Sequence, residues 1–439
     1  MAILPEPVTL SLICILVMMC VKILMDQTKK NKYHFPPGPR PLPLIGNMHI
    51  LDIKRQDYTF MELAKTYGTF FTFHFGRAKA VVLIGYEANQ EALVKANYDF
   101  GDRAPMPIAD DFQKNHGVIF SNGETWKITR RFTLSILRDL GMGKRPIEER
   151  IINELQYLNA LIGSHNGKPF NEKVFYNATP NITFSILFGR RFDYDNPNYK
   201  KMIGIIDDVV KLTGQPEAKE KATETTEKIF TEKNLLASTF DLMVGGTETT
   251  SSTLKWAILL MMKYPDVQKK VHDEIENVIG LERPPKWEDH KVLPYCLAVM
   301  HEVQRFGNIL QYLPHSTPTD VSFRGYTIPK GTAVVPLFTS ILYDESKWES
   351  PREFNPNHFL DADGKFLKRD EFFAFSKGRR VCVGESLARM ELFLFITGML
   401  QKFTFTPPPG VSRESLDLGP EAFFTMRPKE YNVCATPRL

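Results

Sequence analysis

The chain is poor in cysteine: its 439 residues hold five, Cys14, Cys20, Cys296, Cys382 and Cys434. No two of them form a Cys-x-x-Cys pair. That argues against the usual zinc frameworks and against a disulfide-stapled secreted domain, and it fits a reducing compartment. Charge of one sign is also scarce. The net charge is +4 and the basic residues are dispersed, which argues against a nucleic-acid partner. No Gly-x-Gly-x-x-Gly follows a strand pattern, so a dinucleotide-binding dehydrogenase is not indicated. No His-Glu-x-x-His occurs either, which argues against a zincin. Internal repeats and long low-complexity tracts are lacking.

Apolar residues are plentiful. Hydrophobic residues make up 43% of the chain and Phe alone occurs 32 times, enough for a sizeable interior. Residues 8–24 form an almost wholly apolar run of 17 residues, at the short limit for spanning a bilayer. Lys29, Lys30 and Lys32 follow it, and no Lys or Arg precedes it. By the positive-inside rule, residues 1–28 read as a single membrane anchor with the rest of the chain on the cytosolic side. A cleaved signal peptide fits less well, because the basic leading region is missing. Residues 29–43, basic and then proline-rich, read as a stiff strap.

Beyond the strap the periodicity predicts a mainly α architecture with small β-sheets. A short helix starts near Tyr58. Residues 70–84 read as two strands around Gly76-Arg77. Helical patterns dominate 124–213. A long helix covers about 235–264 and stops at Pro265. Residues 323–335 read as a hairpin turning at Gly331, and the last strands fall near 403–405 and 430–434. The sheets are thus expected at the two ends of the sequence.

The most informative window is Phe375-Ser376-Lys377-Gly378-Arg379-Arg380-Val381-Cys382-Val383-Gly384. Gly378 and Gly384 allow a tight turn and close approach to a flat object. Lys377, Arg379 and Arg380 favour a thiolate, as does the helix start expected just after Gly384. Such a thiolate can ligate haem iron and promote O–O cleavage. By itself the window also suits an inert buried thiol. Glu302 and Arg305 stand three apart on one helix face and can pair, as many surface ions do. Gly245-Gly246 inside the long helix costs about 1 kcal/mol per glycine against Ala. This suits close approach of a ligand, or a kink. Glu248 and Thr249 beside it could conduct protons. Trp126 and Arg130 share a face at i, i+4. Lys127, Arg131 and Arg138 form a neighbouring basic stripe, suited to an acidic electron donor or to plain solvation.

Together these patterns resemble the cytochrome P450 superfamily, and within it the microsomal family-2 type. They occur in the family's order: Trp126-x-x-x-Arg130, Gly245-Gly246-x-Glu248-Thr249, Glu302-x-x-Arg305, and Phe375-x-x-Gly378-x-Arg380-x-Cys382-x-Gly384. The resemblance implies a single haem-thiolate monooxygenase domain over 44–439, binding haem b. Cys382 would ligate the iron. Arg103, Trp126, Arg130, His315, Phe375 and Arg380 would surround the cofactor, and Glu248 and Thr249 would serve oxygen activation. Glu302, Arg305 and His358 would form a structural triad. Phe120, Met243, Gly245, Leu310 and Phe423 would line the substrate pocket. The implied reaction inserts one oxygen atom of O2 into lipophilic substrates (xenobiotics, fatty acids or steroids) with NADPH-derived electrons. The implied partners are NADPH–cytochrome reductase, a cytochrome b-type donor and membrane lipid, at the endoplasmic reticulum. One departure stands out. Gln215-Pro216 runs almost directly into a charged stretch and the long helix, where the family has further helices roofing the pocket. An internal deletion near 214–234 is therefore expected. It leaves open a haem-binding but catalytically impaired short isoform.

Overall fold

The computed structural model describes residues 33–106, 113–213, 229–422 and 424–438, with five isolated positions before residue 33. Nearly all of the predicted anchor, the three lysines after it, the stretch 214–228 and Phe423 lie outside the described residues. Among the described residues, no helix is long and apolar enough to cross a membrane.

Helices dominate, as the periodicity predicts. The main ones are α1 (Gln56–Tyr67), α2 (Gly123–Asp139), α3 (Arg145–Ser164), α4 (Ala178–Phe188), α5 (Pro197–Thr213), α6 (Glu232–Lys263), α7 (Pro265–Val278), α8 (Pro294–Gly307) and α9 (Glu385–Lys402). The 32 residues of α6 span about 48 Å. Its start is capped by the Thr231 hydroxyl, which accepts from the Asn234 amide at 3.1 Å; such a cap contributes about 1 kcal/mol. Its end is set by Pro265, which cannot donate to the α6 ladder and instead opens α7. Every residue from 254 to 262 is buried, because α4, α8 and α9 pack around α6. Leu254 and Leu259 meet Leu155 of α3, Ile182 of α4, Val299 of α8 and Leu394 of α9 in the main core.

The strands are β1 (Phe70–Phe75), β2 (Ala78–Leu83), β3 (Asp102–Arg103), β4 (Phe170–Asn171), β5 (His315–Ser316), β6 (Val321–Phe323), β7 (Tyr326–Ile328), β8 (Ala333–Pro336), β9 (Phe403–Thr406), β10 (Pro420–Ala422), β11 (Met426–Pro428) and β12 (Asn432–Pro437). The largest sheet runs β1-β2-β8-β5-β3. β1 and β2 form the expected antiparallel pair, with Phe70 opposite Leu83. β8 lies parallel to β2, with Ala80 opposite Ala333.

The hairpin expected over 323–335 differs in two respects. It is formed by β6 and β7, and it turns on Arg324 and Gly325, with φ of 51° and 80°. Two consecutive positive φ values match the turn that suits a tight hairpin. Gly331, at φ 78°, instead makes the corner that sends β8 into the other sheet. The expectation of sheets at the two ends also needs revision, since the early strands β2 and β3 pair with β8 and β5 from the later part of the chain. Near the C terminus β12 joins β9 and β4.

Candidate active site

Three parts of the chain converge on one cavity of about 470 Å³: the middle of α6, the loop before α2, and the loop carrying Cys382. Its volume falls within the range of small-molecule and cofactor sites. The Cys382 loop is fixed from behind. Gly378 has φ 79°, and a Cβ there would sit 1.8 Å from the Leu93 carbonyl oxygen. Only glycine fits. Its close approach is therefore to the segment Glu91–Lys95, not to a ligand as the sequence suggested. Gly384 does face the cavity, where a Cβ would meet only the Cys382 sulfur, at 3.9 Å. The Cys382 amide donates to Phe375 O at 3.0 Å, and α9 begins three residues on. Burial, joined by the Glu385 carboxylate, raises the thiol pKa against the opposing pull of the Gly384 and Glu385 amides and the Arg130 charge, so without a bound metal the surroundings do not favour the thiolate as the sequence suggested. Cys382 sits deep in the protein yet has exposed surface, because it opens on the cavity.

The two glycines of α6 have separate roles. A Cβ on Gly245 would meet only Ile119, at 3.9 Å, on the cavity side. A Cβ on Gly246 would lie 2.5 Å from Thr183 Oγ1 of α4, so that glycine serves helix packing. Thr249 lines the cavity, and its hydroxyl donates to Gly245 O at 2.8 Å. Phe120, Gly245, Leu310 and Phe375 line it too. Met243 does not; it packs with Phe184 and Tyr199, since two residues along a helix turn it to another face. Sequence reasoning missed Ile119, Ile309 and Phe338, which complete the apolar wall. It also missed Asp241. That buried carboxylate accepts from Val118 N at 2.6 Å, Ile119 N at 2.9 Å and Gln113 Nε2 at 2.5 Å, and so holds the loop bearing Phe120. Burial pushes the Asp241 pKa up to about 6.

Glu248 is more constrained than its expected role requires. It is 1% exposed and accepts from Arg427 Nε and Nη2, both at 2.7 Å. Thr425 Oγ1 at 2.7 Å, Ser252 Oγ at 2.9 Å and Tyr176 OH at 3.3 Å also donate to it. Nothing in the spacing of the sequence pointed to Arg427, a residue 179 positions away.

Beside the Cys382 loop Arg103, Arg130 and Arg380 gather on the cavity, without an ion pair among the described residues. Arg103 donates to Ile119 O and Leu313 O, each at 3.3 Å. Arg130 donates to Val381 O at 2.5 Å. Arg380 donates to Gly101 O at 2.8 Å and Ser121 O at 2.9 Å. Burial pulls the Arg103 pKa down to about 9 and that of Arg380 to about 8, and the mutual repulsion of the cations adds to both. Trp126 packs its ring 3.9 Å from the Arg380 guanidinium, and its buried Nε1 has no hydrogen-bond partner among the described residues. His315 donates from Nδ1 to Phe100 O at 2.7 Å, and its buried Nε2 also has none. Buried cations beside the orphaned Trp126 N–H need an anion from outside the chain, whereas Nε2 of the neutral His315 is an acceptor and needs a donor. Arg103, Arg130 and Arg380 line the apolar cavity together with the Cys382 thiol, whereas Trp126 and His315 are not among its lining residues; the cations fit a cofactor carrying carboxylates.

The expected triad is brought together and closed. Arg305 donates from Nε and Nη2 to Glu302 at 2.7 and 2.8 Å. Its remaining N–H groups reach Leu342 O, Pro351 O and Glu353 O. His358 Nδ1 lies 3.2 Å from both Glu302 oxygens.

A long helix crossing a cavity, with a thiol loop on one side and uncompensated cations at its rim, is the build of a haem-thiolate oxygenase. The chain belongs to the cytochrome P450 family: the sequence model described as "Cytochrome P450" matches residues 36–219 and 215–435. Cytochrome P450 2W1 of Homo sapiens is 43% identical to it over 459 aligned positions, covering 92% of this chain and 94% of its own length. Cytochrome P450 2K1 of Oncorhynchus mykiss is also 43% identical, covering 92% of each. Cytochrome P450 2C3 of Oryctolagus cuniculus is 39% identical, covering 95% of this chain and 97% of its own. The protein is thus a family-2-like monooxygenase that binds haem b through a cysteine thiolate and incorporates oxygen from O2. The alignment with the human relative is longer than the whole 439-residue chain, although it draws on only 92% of it. That relative therefore carries segments with no counterpart here.

Proposed function

We propose that Cys382 is the iron ligand and that Arg103, Trp126, Arg130, His315 and Arg380 hold the haem carboxylates. The observation that carries this reading is the cationic cluster without an ion pair among the described residues, beside the Cys382 thiol that opens on the same cavity. The bound haem supplies the oxygen-activating chemistry. Around it the chain orients, excludes and transfers. Phe375, which lines the cavity, would border the bound cofactor. Thr249, which lines the cavity, would offer a hydroxyl to bound dioxygen, and Glu248 would carry protons toward it. Phe120, Gly245, Leu310, Ile309 and Phe338 make an apolar chamber for lipophilic substrates such as xenobiotics, fatty acids or steroids.

Electrons come from NADPH through NADPH–cytochrome reductase, with a cytochrome b-type protein as a second donor. The exposed stripe Lys127, Arg131 and Arg138 on α2 supports an acidic docking partner. The apolar run at 8–24 and the lysines after it support anchoring in the endoplasmic reticulum membrane with the catalytic part in the cytosol. The two-part family match meeting at 215–219, together with the extra aligned positions in the relative, supports an internal deletion after Gly214. The chamber is then roofed by less chain than in the relatives.

The test is spectroscopic. Reduced protein with carbon monoxide is expected to show the thiolate-type Soret shift, and Cys382→Ser to abolish it. Equal spectra for the two proteins would refute the ligand assignment. Turnover of lauric acid with reductase present then separates an oxygenase from a protein that only binds haem.

A further inference from the structure

Product formation puts one oxygen atom into substrate and reduces the other to water, consuming two electrons and two protons. Glu248 must therefore gain and lose a proton. As the structure holds it, the carboxylate has no room for one: Arg427 makes two hydrogen bonds to it, and Thr425, Ser252 and Tyr176 fill its remaining lone pairs. To carry a proton to the cavity it must let go of Arg427. That release leaves a guanidinium buried in the protein, which is costly unless another anion stays with it.

That anion is present. Arg427 Nη1 donates to Asp207 Oδ1 at 2.7 Å. Asp207 lies on α5 and also pairs with Lys211 at 2.6 Å. The same helix gives Ile205, Val209 and Val210 to the cavity wall. Hence one guanidinium on β11 touches both the carboxylate of α6 and the helix that a substrate would press against. The other charged or titratable groups around this cluster include Tyr176, Glu172 and Lys173 from the turn Glu172–Tyr176, Glu430, which pairs with Lys173 at 2.6 Å, and Lys255 of α6, which pairs with Glu172 at 3.5 Å.

We propose that Arg427 is a positioning residue that releases Glu248 for proton delivery only when α5, through Asp207, is seated over the cavity. It rests on the reading of Glu248 as the proton carrier, and the variants separate the two. With α5 in place, Asp207 retains the Arg427 charge and Glu248 can swing away protonated. With α5 displaced, Asp207 no longer shares the Arg427 charge, and the guanidinium stays on Glu248. Dioxygen is then reduced to hydrogen peroxide, with the same two electrons and two protons but no oxygen in the product.

The haem-loaded full chain is assayed with reductase and lauric acid, counting product and hydrogen peroxide per dioxygen consumed. Glu248→Gln is expected to lower product per dioxygen by about tenfold. If it does not, Glu248 is not the proton carrier. Asp207→Asn is expected to lower it by about threefold or more, with peroxide rising and the carbon monoxide spectrum unchanged. A wild-type ratio in Asp207→Asn, while Glu248→Gln falls, overturns the coupling alone. An infrared measurement decides without turnover. Arg427→Leu is expected to show a protonated carboxyl band that is absent from wild type and from the Arg427→Leu/Glu248→Gln double variant. No band, or a band surviving in the double variant, overturns Arg427 as the keeper of the Glu248 charge. Should Arg427→Leu lose its haem spectrum, Asp207→Asn still tests the coupling, since its side chain is 30% exposed and peripheral.

Discussion

Arg305 and Arg380 are both buried guanidinium groups, 0% and 5% exposed, yet the chain finishes one and leaves the other open. All five N–H groups of Arg305 are used, two on Glu302 and three on backbone carbonyls. Arg380 also reaches carbonyls, but its neighbours Arg103 and Arg130 are cations and its pKa is pulled down by burial. A buried cation that the fold neutralises is a brace. A buried cation that the fold does not neutralise is a socket, and its cost is offset only when an anion arrives. Physically similar residues thus divide into scaffold and site according to whether their charge is balanced within the chain.

The largest test of that division is Arg305→Leu. It strands Glu302 as a buried carboxylate, and a loss of about 3–5 kcal/mol is expected, read by denaturant unfolding of the haem-free protein. Arg380→Leu should do the reverse to that form. The haem-free protein is expected to be as stable as wild type or more so, because an unbalanced cation is gone, while haem affinity falls by about ten- to a hundredfold. Haem titration measures the second effect and unfolding the first. If both variants destabilise the haem-free protein alike, brace and socket are not different things. The smallest effect belongs to Trp126→Phe. It removes an orphaned N–H but keeps most of the ring, so unfolding should be unchanged and haem affinity should drop by about two- to tenfold.

Much of this was legible in the sequence, for identifiable reasons. Cys382, Glu302 and Arg305 sit in short windows, and Glu302 and Arg305 pair with each other on one helix face. The length of α6 followed from its periodicity and from Pro265. What escaped depends on distance along the chain. Asp241 and Arg427 act on residues more than a hundred positions away, and no local pattern marks them. Met243 was misjudged because an apolar residue beside Gly245 looks equally suited to either face until the neighbours of α6 are known. Gly378 was recognised as a site of close approach to a flat ligand, and Gly246 as one of close approach to a ligand or of a kink. The approach is to protein, and sequence cannot tell one flat neighbour from another. The hairpin turn moved from Gly331 to Gly325 because both glycines permit positive φ, and pairing chose between them.

The seat of the Cys382 loop also bears on the order of assembly. Gly378 docks on Leu93, far upstream in the chain. During synthesis the Glu91–Lys95 segment emerges early and must wait for most of the remaining chain before its counterpart appears. Closing such a long loop is slow relative to forming the helices between. Cofactor capture is therefore a late event in the life of the nascent protein, and free haem has no finished pocket to occupy until the last third of the chain has left the ribosome.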